Sequence, residues 1–91
     1  MTTYYLKPIY DSRQSFYNKA TVTEDAKGKF LRSYNTIVAR ITDKNNGYMI
    51  PAYAEVYGTY SATTLRHIKE FLRQNGFKAD SKSQIEKDYL I

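Results

Sequence analysis

The residue types that perform catalysis are few in this chain and are not arranged as an active site. His67 is the single histidine, cysteine is absent, and the four glycines form no phosphate-binding loop or nucleophile motif. General acid–base catalysis or metal binding by one imidazole needs a partner carboxylate or further ligands, and no spacing in the sequence supplies them. We therefore expect no enzyme activity, no cofactor and no metal.

Three cations on one face of a predicted helix indicate binding instead. Arg66, Lys69 and Arg73 are spaced i, i+3 and i+7, so they form a stripe beside the apolar face of the helix. Such a stripe can contact phosphates or an acidic protein surface, although a merely solvated helix face has the same pattern. His67 lies between this stripe and the apolar face, and we include it among the candidate partner contacts.

A second group of candidate contacts lies on the predicted strands. Alternation places Arg32 and Arg40 on one face of their strand, where they meet solvent or a partner. In the following strand Tyr53, Glu55 and Tyr57 point to one side. A carboxylate between two tyrosines is held for a partner or is simply solvated, and both interpretations stay open. Arg40, Tyr53 and Tyr57 complete the candidate site.

Composition indicates one small basic domain, residues 1–91. Fourteen Lys and Arg against nine Asp and Glu leave a formal charge of +5, which favours an anionic partner. Ten tyrosines suit a thin core and interface anchors. The chain has no apolar run that predicts a membrane span or signal peptide, so we expect a cytoplasmic protein with no membrane partner.

The elements predict an α+β fold, a two-layer sandwich. A three-stranded antiparallel sheet precedes one long packed helix and a short C-terminal helix. Residues 1–15 are expected to be an extended N-terminal segment, with an edge strand near Tyr4 and one helical turn at Asp11 as options. The predicted strands cover residues 16–23, 30–42 and 48–60, the loop between the last two covers 43–47, and a tail element covers 79–91.

Two local patterns predict which side chains of the long strand and of the helix are buried. In the long predicted strand Leu31 and Ile37 share the apolar parity, whereas Val38 has the opposite parity. The long helix is predicted from Ala62 to Asn75, with Ser61 as its cap and Gly76 just past its end. Its stripe of Leu65, Ile68, Phe71 and Leu72 should pack on the sheet, and Glu70 should form a surface salt bridge with Arg66 or Arg73.

Three segments together resemble a protein family. They are Ser15–Ala20, Leu31–Ala39 and Tyr60–Phe77, and the last contains Ser61-x-Thr63-Thr64-x-Arg66-His67 followed by Glu70-Phe71. This pattern resembles a domain of unknown function found in small proteins of phages and integrative elements of Gram-positive bacteria. The resemblance covers roughly residues 10–78.

The resemblance implies a mobile-element setting, in which short non-enzymatic proteins often block host defence. It implies an anti-CRISPR-like inhibitor of a type II-A system, whose partner is a host defence complex such as an effector nuclease with its guide RNA. The alternative is a nucleic-acid-binding accessory or regulatory protein of the element that contacts RNA or DNA directly. Tyr53 and Tyr57 beside a basic groove would favour this alternative. A homodimer through the open sheet face is a further option.

Overall fold

Successive segments of the chain pair with one another to form an antiparallel sheet. The computed structural model describes residues 1–42, 53–58 and 61–91. Within these ranges the sheet has five strands in the order β1-β2-β3-β4-β5, and two helices follow them. The elements are β1 Thr2–Tyr5, β2 Ala20–Asp25, β3 Gly28–Ser33, β4 Thr36–Thr42, β5 Tyr53–Val56, α1 Ala62–Gln74 and α2 Lys82–Tyr89.

The predicted α+β class is confirmed, but the predicted three strands are five. The segment 30–42 folds back on itself at Tyr34, whose φ of 57° makes the tight turn between β3 and β4. Tyr17 and Asn18 also have positive φ values, 54° and 61°, so the second strand begins at Ala20 and not at residue 16. The predicted loop 43–47 and the start of the last predicted strand, 48–52, lie outside the described residues.

The start of the chain is the edge strand β1. Its pairing with β2 continues at Leu6, whose backbone N–H donates to the carbonyl of Ala20 at 2.8 Å. Pro8 follows closely, and a residue without an N–H cannot extend the ladder. Residues 7–15 then run across α1. Residues 9–14 of this segment are bends, so the one helical turn that was an option at Asp11 is not formed. We call residues 7–15 the crossing segment.

An irregularity between β3 and β4 changes which side chains of β4 are buried. Leu31 pairs with Ala39 whereas Arg32 pairs with Ile37, so Val38 is an extra residue in a β-bulge. Val38 is fully buried and Ile37 is 40% exposed, the reverse of the expectation from simple alternation. The bulge therefore turns Val38 into the core and Ile37 outward.

The helix α1 forms as its sequence predicts. Ser61 Oγ accepts a hydrogen bond from the backbone N–H of Thr64 at 3.2 Å, and Gly76 follows the helix with φ 83°. Ile68, Phe71 and Leu72 are fully buried against the sheet, while Leu65 is half-buried. This helix covers one face of the sheet and leaves the other without a helix layer among the described residues.

The short helix α2 lies at the β5 end of the sheet. Ile85 is fully buried, and Leu90 forms an isolated parallel bridge to Val56. The backbone N–H of Ile91 donates to the carbonyl of Val56 at 3.1 Å, so the outer edge of β5 is partly paired. No helix in the described part of the chain is long and apolar enough to cross a membrane.

The bulge predicts opposite outcomes for two neighbouring substitutions. We expect Val38→Ala to lower the free energy of unfolding by about 2 kcal/mol, because it leaves a cavity in the core. Ile37→Ala should change it by less than about 1 kcal/mol, because that side chain is 40% exposed on the outer face of the sheet. Urea unfolding followed by circular dichroism measures both, and equal losses would contradict the bulge.

Candidate functional site

An open groove runs between the crossing segment and α1. Its volume is about 500 Å³. One wall carries Tyr10, Asp11 and Ser12, and the other carries Ala62, Leu65, Arg66, Lys69 and Arg73. The three cations that the sequence places in one stripe thus lie together along one cleft.

A buried carboxylate holds the two walls together. Glu70 is 1% exposed, and its Oε1 accepts hydrogen bonds from the backbone N–H groups of Tyr10 at 3.0 Å and Asp11 at 2.9 Å. Its Oε2 accepts from Gln74 Nε2 at 2.6 Å, and the same nitrogen donates to the carbonyl of Lys7 at 2.7 Å. The expected surface salt bridge of Glu70 with Arg66 or Arg73 is therefore wrong, because the crossing segment covers this side chain and supplies its donors.

The three cations of the groove are not equivalent. Arg66 Nη1 lies 3.0 Å from Asp11 Oδ1, and this ion pair joins the helix to the crossing segment. Asp11 also accepts from the backbone N–H of Arg13 at 2.9 Å, which fixes its orientation. The side chains of Lys69 and Arg73 form no ion pair with any residue that the structure describes. Arg66 is thus largely used within the fold, and Lys69 and Arg73 are the cations available to a partner.

His67 faces the core and does not reach the groove. Its side chain is 1% exposed, and Nδ1 lies 2.8 Å from the hydroxyl of Ser33. That hydroxyl is also 3.0 Å from Thr64 Oγ1, and the Phe16 ring packs against the imidazole in a T-shaped arrangement with centroids 4.7 Å apart. Desolvation lowers the pKa of His67, with Asp11 opposing the shift. His67 is thus buried away from the groove, and its contact with a partner stays a prediction.

The remaining candidates lie on the sheet face that α1 does not cover. Arg40 pairs in register with Glu55, and its guanidinium lies over the Phe30 ring at 5.3 Å from the centroid. Tyr53 is 50% exposed, and Tyr57, just past β5, is half-buried. The predicted site residues therefore divide between two surfaces that the sheet separates.

The residues that sequence reasoning missed are those of the opposite wall. Tyr10, Asp11 and Ser12 carry no motif, and they reach the groove through hydrogen bonds made about 60 residues away in the chain. Glu70 stands on the outward side of α1 by helical periodicity, close to Arg66 and Arg73. Its burial depends on a long-range contact that no local pattern reports.

Comparison with known proteins identifies a family but no characterised relative. The model of a family described as a family of unknown function, DUF8033, matches residues 4–87. Neither a search of curated proteins nor a search of solved structures found a match.

Replacing the buried carboxylate tests how the groove is built. We expect Glu70→Gln to lower the free energy of unfolding by about 1–3 kcal/mol, because the amide loses charge-assisted acceptance from two backbone N–H groups. Urea unfolding measures the loss, and hydrogen exchange at Tyr10 and Asp11 should become faster. Glu55→Gln is the matched control, since it removes the same charge from a partly exposed strand position.

The buried imidazole predicts a pH dependence of stability. Because the pKa of His67 is lowered on folding, the unfolded chain binds the proton more tightly. The stability contributed by neutral His67 is complete above the unfolded pKa of 6.5 and decreases as the pH falls below it toward the folded pKa. Unfolding free energies measured from pH 8 to pH 5 should show this fall, and His67→Gln should remove it. An identical pH profile in both proteins would contradict the assignment.

Proposed function

The chain belongs to the DUF8033 family, whose function is unknown, and we propose that it is a non-enzymatic binding protein that holds an anionic partner in the groove along α1. The observation that carries the proposal is a pair of cations, Lys69 and Arg73, one helical turn apart on the wall of that groove and without an ionic partner among the described residues. Two adjacent cations in a concave site concentrate positive potential and attract carboxylates or phosphates.

The groove is built before a partner arrives. Glu70 and the Asp11–Arg66 ion pair hold the crossing segment against α1, so little ordering entropy remains to be lost on binding. Tyr10 is 58% exposed at the wall and offers an amphipathic ring next to the cations. Two positive charges beside one aromatic side chain are suited to binding an acidic segment of a protein surface.

An acidic protein partner is favoured over nucleic acid for this groove. Tyr53 lies on the other side of the sheet, and the described residues that line the groove do not form the aromatic series on which successive bases stack. The resemblance to phage and integrative-element proteins supports a proposal for which partner the groove binds in the cell. The partner would be a host defence complex, such as a CRISPR effector nuclease with its guide RNA, which the protein inhibits by occupying an acidic surface.

A capture experiment tests the partner. The tagged protein is incubated with a Gram-positive lysate that carries a type II-A CRISPR system, with and without nuclease treatment. We expect the effector nuclease to be recovered in both samples, because the contact is made to protein. Recovery of nucleic acid alone, lost after nuclease treatment, would contradict the proposal and favour the accessory nucleic-acid-binding role.

Charge reversal tests the groove itself. Lys69→Glu with Arg73→Glu should reduce capture at least about tenfold, because repulsion replaces two attractions in a desolvated contact. Arg66 is left unchanged, since its loss would also break the ion pair with Asp11. Lys82→Glu with Lys87→Glu on α2 makes the same change in net charge at exposed positions and is the matched control. Equal capture by both double variants would contradict the proposal that the groove binds the partner.

A further inference from the structure

The sheet face opposite α1 carries an ordered set of aromatic rings. The strand register places Thr3, Thr23, Phe30, Arg40 and Glu55 in one row across all five strands. The hydroxyls of Thr3 and Thr23 lie 3.2 Å apart, as expected for cross-strand neighbours on one face. Tyr4, the residue after Thr3, points to the other face, where its hydroxyl donates to Glu24 at 3.0 Å.

Three aromatic residues of this face lie on a diagonal. Tyr5 on β1 belongs to the row on one side of Phe30, and Tyr53 on β5 belongs to the row on the other side. Each step along the diagonal crosses two strands and advances two residues, which is about 12 Å by standard sheet spacings. Tyr5 and Tyr53 are 53% and 50% exposed, and Phe30 is half-buried under a guanidinium. We call Tyr5, Phe30 and Tyr53 the aromatic diagonal.

Two arginines flank the aromatic diagonal at its centre. Arg32 lies in the same row as Tyr5 and is exposed. Arg40 lies beside Phe30 in the register, and its guanidinium lies over the Phe30 ring. Neither arginine forms an ion pair with the described residues, although Glu55 is the register neighbour of Arg40. The centre of the face thus carries two arginines beside the Glu55 carboxylate, while its two ends are aromatic.

We propose that this face binds single-stranded nucleic acid, with bases stacking on Tyr5 and Tyr53 at the two ends of the aromatic diagonal and phosphates meeting Arg32 and Arg40. Aromatic rings interleaved with cations on a sheet are the arrangement that binds single strands with little sequence preference, because every base has a stacking face. The apolar centre typical of a stable protein interface is not formed by the described residues of this face, because hydroxyls of Thr3, Thr21 and Thr23 separate the rings. The site is distinct from the groove along α1, since the sheet lies between them.

Fluorescence anisotropy of labelled oligonucleotides tests this site. Probes of oligo-dT and oligo-U, each about 12 nucleotides long, match the range that small sheet domains cover. We expect both to bind, with affinity that falls between about 50 and 200 mM salt. A duplex of the same length should bind more weakly, because its bases cannot stack on the rings.

Matched variants test which residues bind the oligonucleotide. Tyr5→Ser and Tyr53→Ser should each weaken binding at least about fivefold, as expected for the loss of one stacked base. Tyr17→Ser is the control, because Tyr17 is 75% exposed in the turn before β2 and is not part of the aromatic diagonal. Lys69→Glu with Arg73→Glu should retain most of the binding if the strand lies on the sheet. Thermal unfolding confirms that each variant is folded.

Three results would overturn the proposal. One is the absence of oligonucleotide binding at low salt. Another is unchanged affinity in the folded Tyr5→Ser and Tyr53→Ser proteins. The third is complete loss of binding in the variant with both groove cations reversed, which would place the strand in the groove along α1.

Discussion

The burial of one carboxylate determines where the helix α1 can present charge. Glu70 stands on the outward side of α1, where a carboxylate would ordinarily be solvated and paired with the neighbouring arginines. The crossing segment covers it and supplies two backbone N–H donors within 3.0 Å, so the cost of burying a charge is offset by charge-assisted hydrogen bonds. Because Glu70 is satisfied from this side, Arg73 is left without an acidic partner among the described residues. The groove and the cations it offers follow from that single arrangement.

A second polar arrangement joins the sheet to the helix layer. Ser33 at the end of β3 bridges Thr64 and His67, one turn apart on α1, and all three side chains are buried. Neutral apolar contacts alone would let a helix slide on a thin core, whereas directional hydrogen bonds specify one position. The position of α1 on the sheet in turn decides which of its side chains face the crossing segment. The two networks are therefore coupled through the helix.

The sequence predicted what depends on local patterns and missed what depends on distant contacts. Ser61, Gly76 and the apolar stripe of α1 are local signals, and the helix is confirmed with its cap and end. The turn at Tyr34 carries no glycine, so the hairpin of β3 and β4 has the sequence pattern of one long strand. The stripe of cations was predicted from spacing alone, but its opposite wall was not, because Glu70 meets Tyr10 across 60 residues of chain. The helical pattern placed His67 between the apolar and charged faces, and the contact with Ser33 shows that it lies inside.

The order of pairing in the sheet also bears on how the domain assembles. Each strand pairs with its neighbour in sequence, and β2, β3 and β4 can pair through short turns with small losses of chain entropy. The contacts of the crossing segment with α1 join residues 60 apart in the sequence. They can form only after the helix has docked. The cleft is accordingly expected to close late in folding and to open first among the native substructures. A ligand that contacts both walls would then slow the local opening of the groove, while the sheet itself stays unchanged.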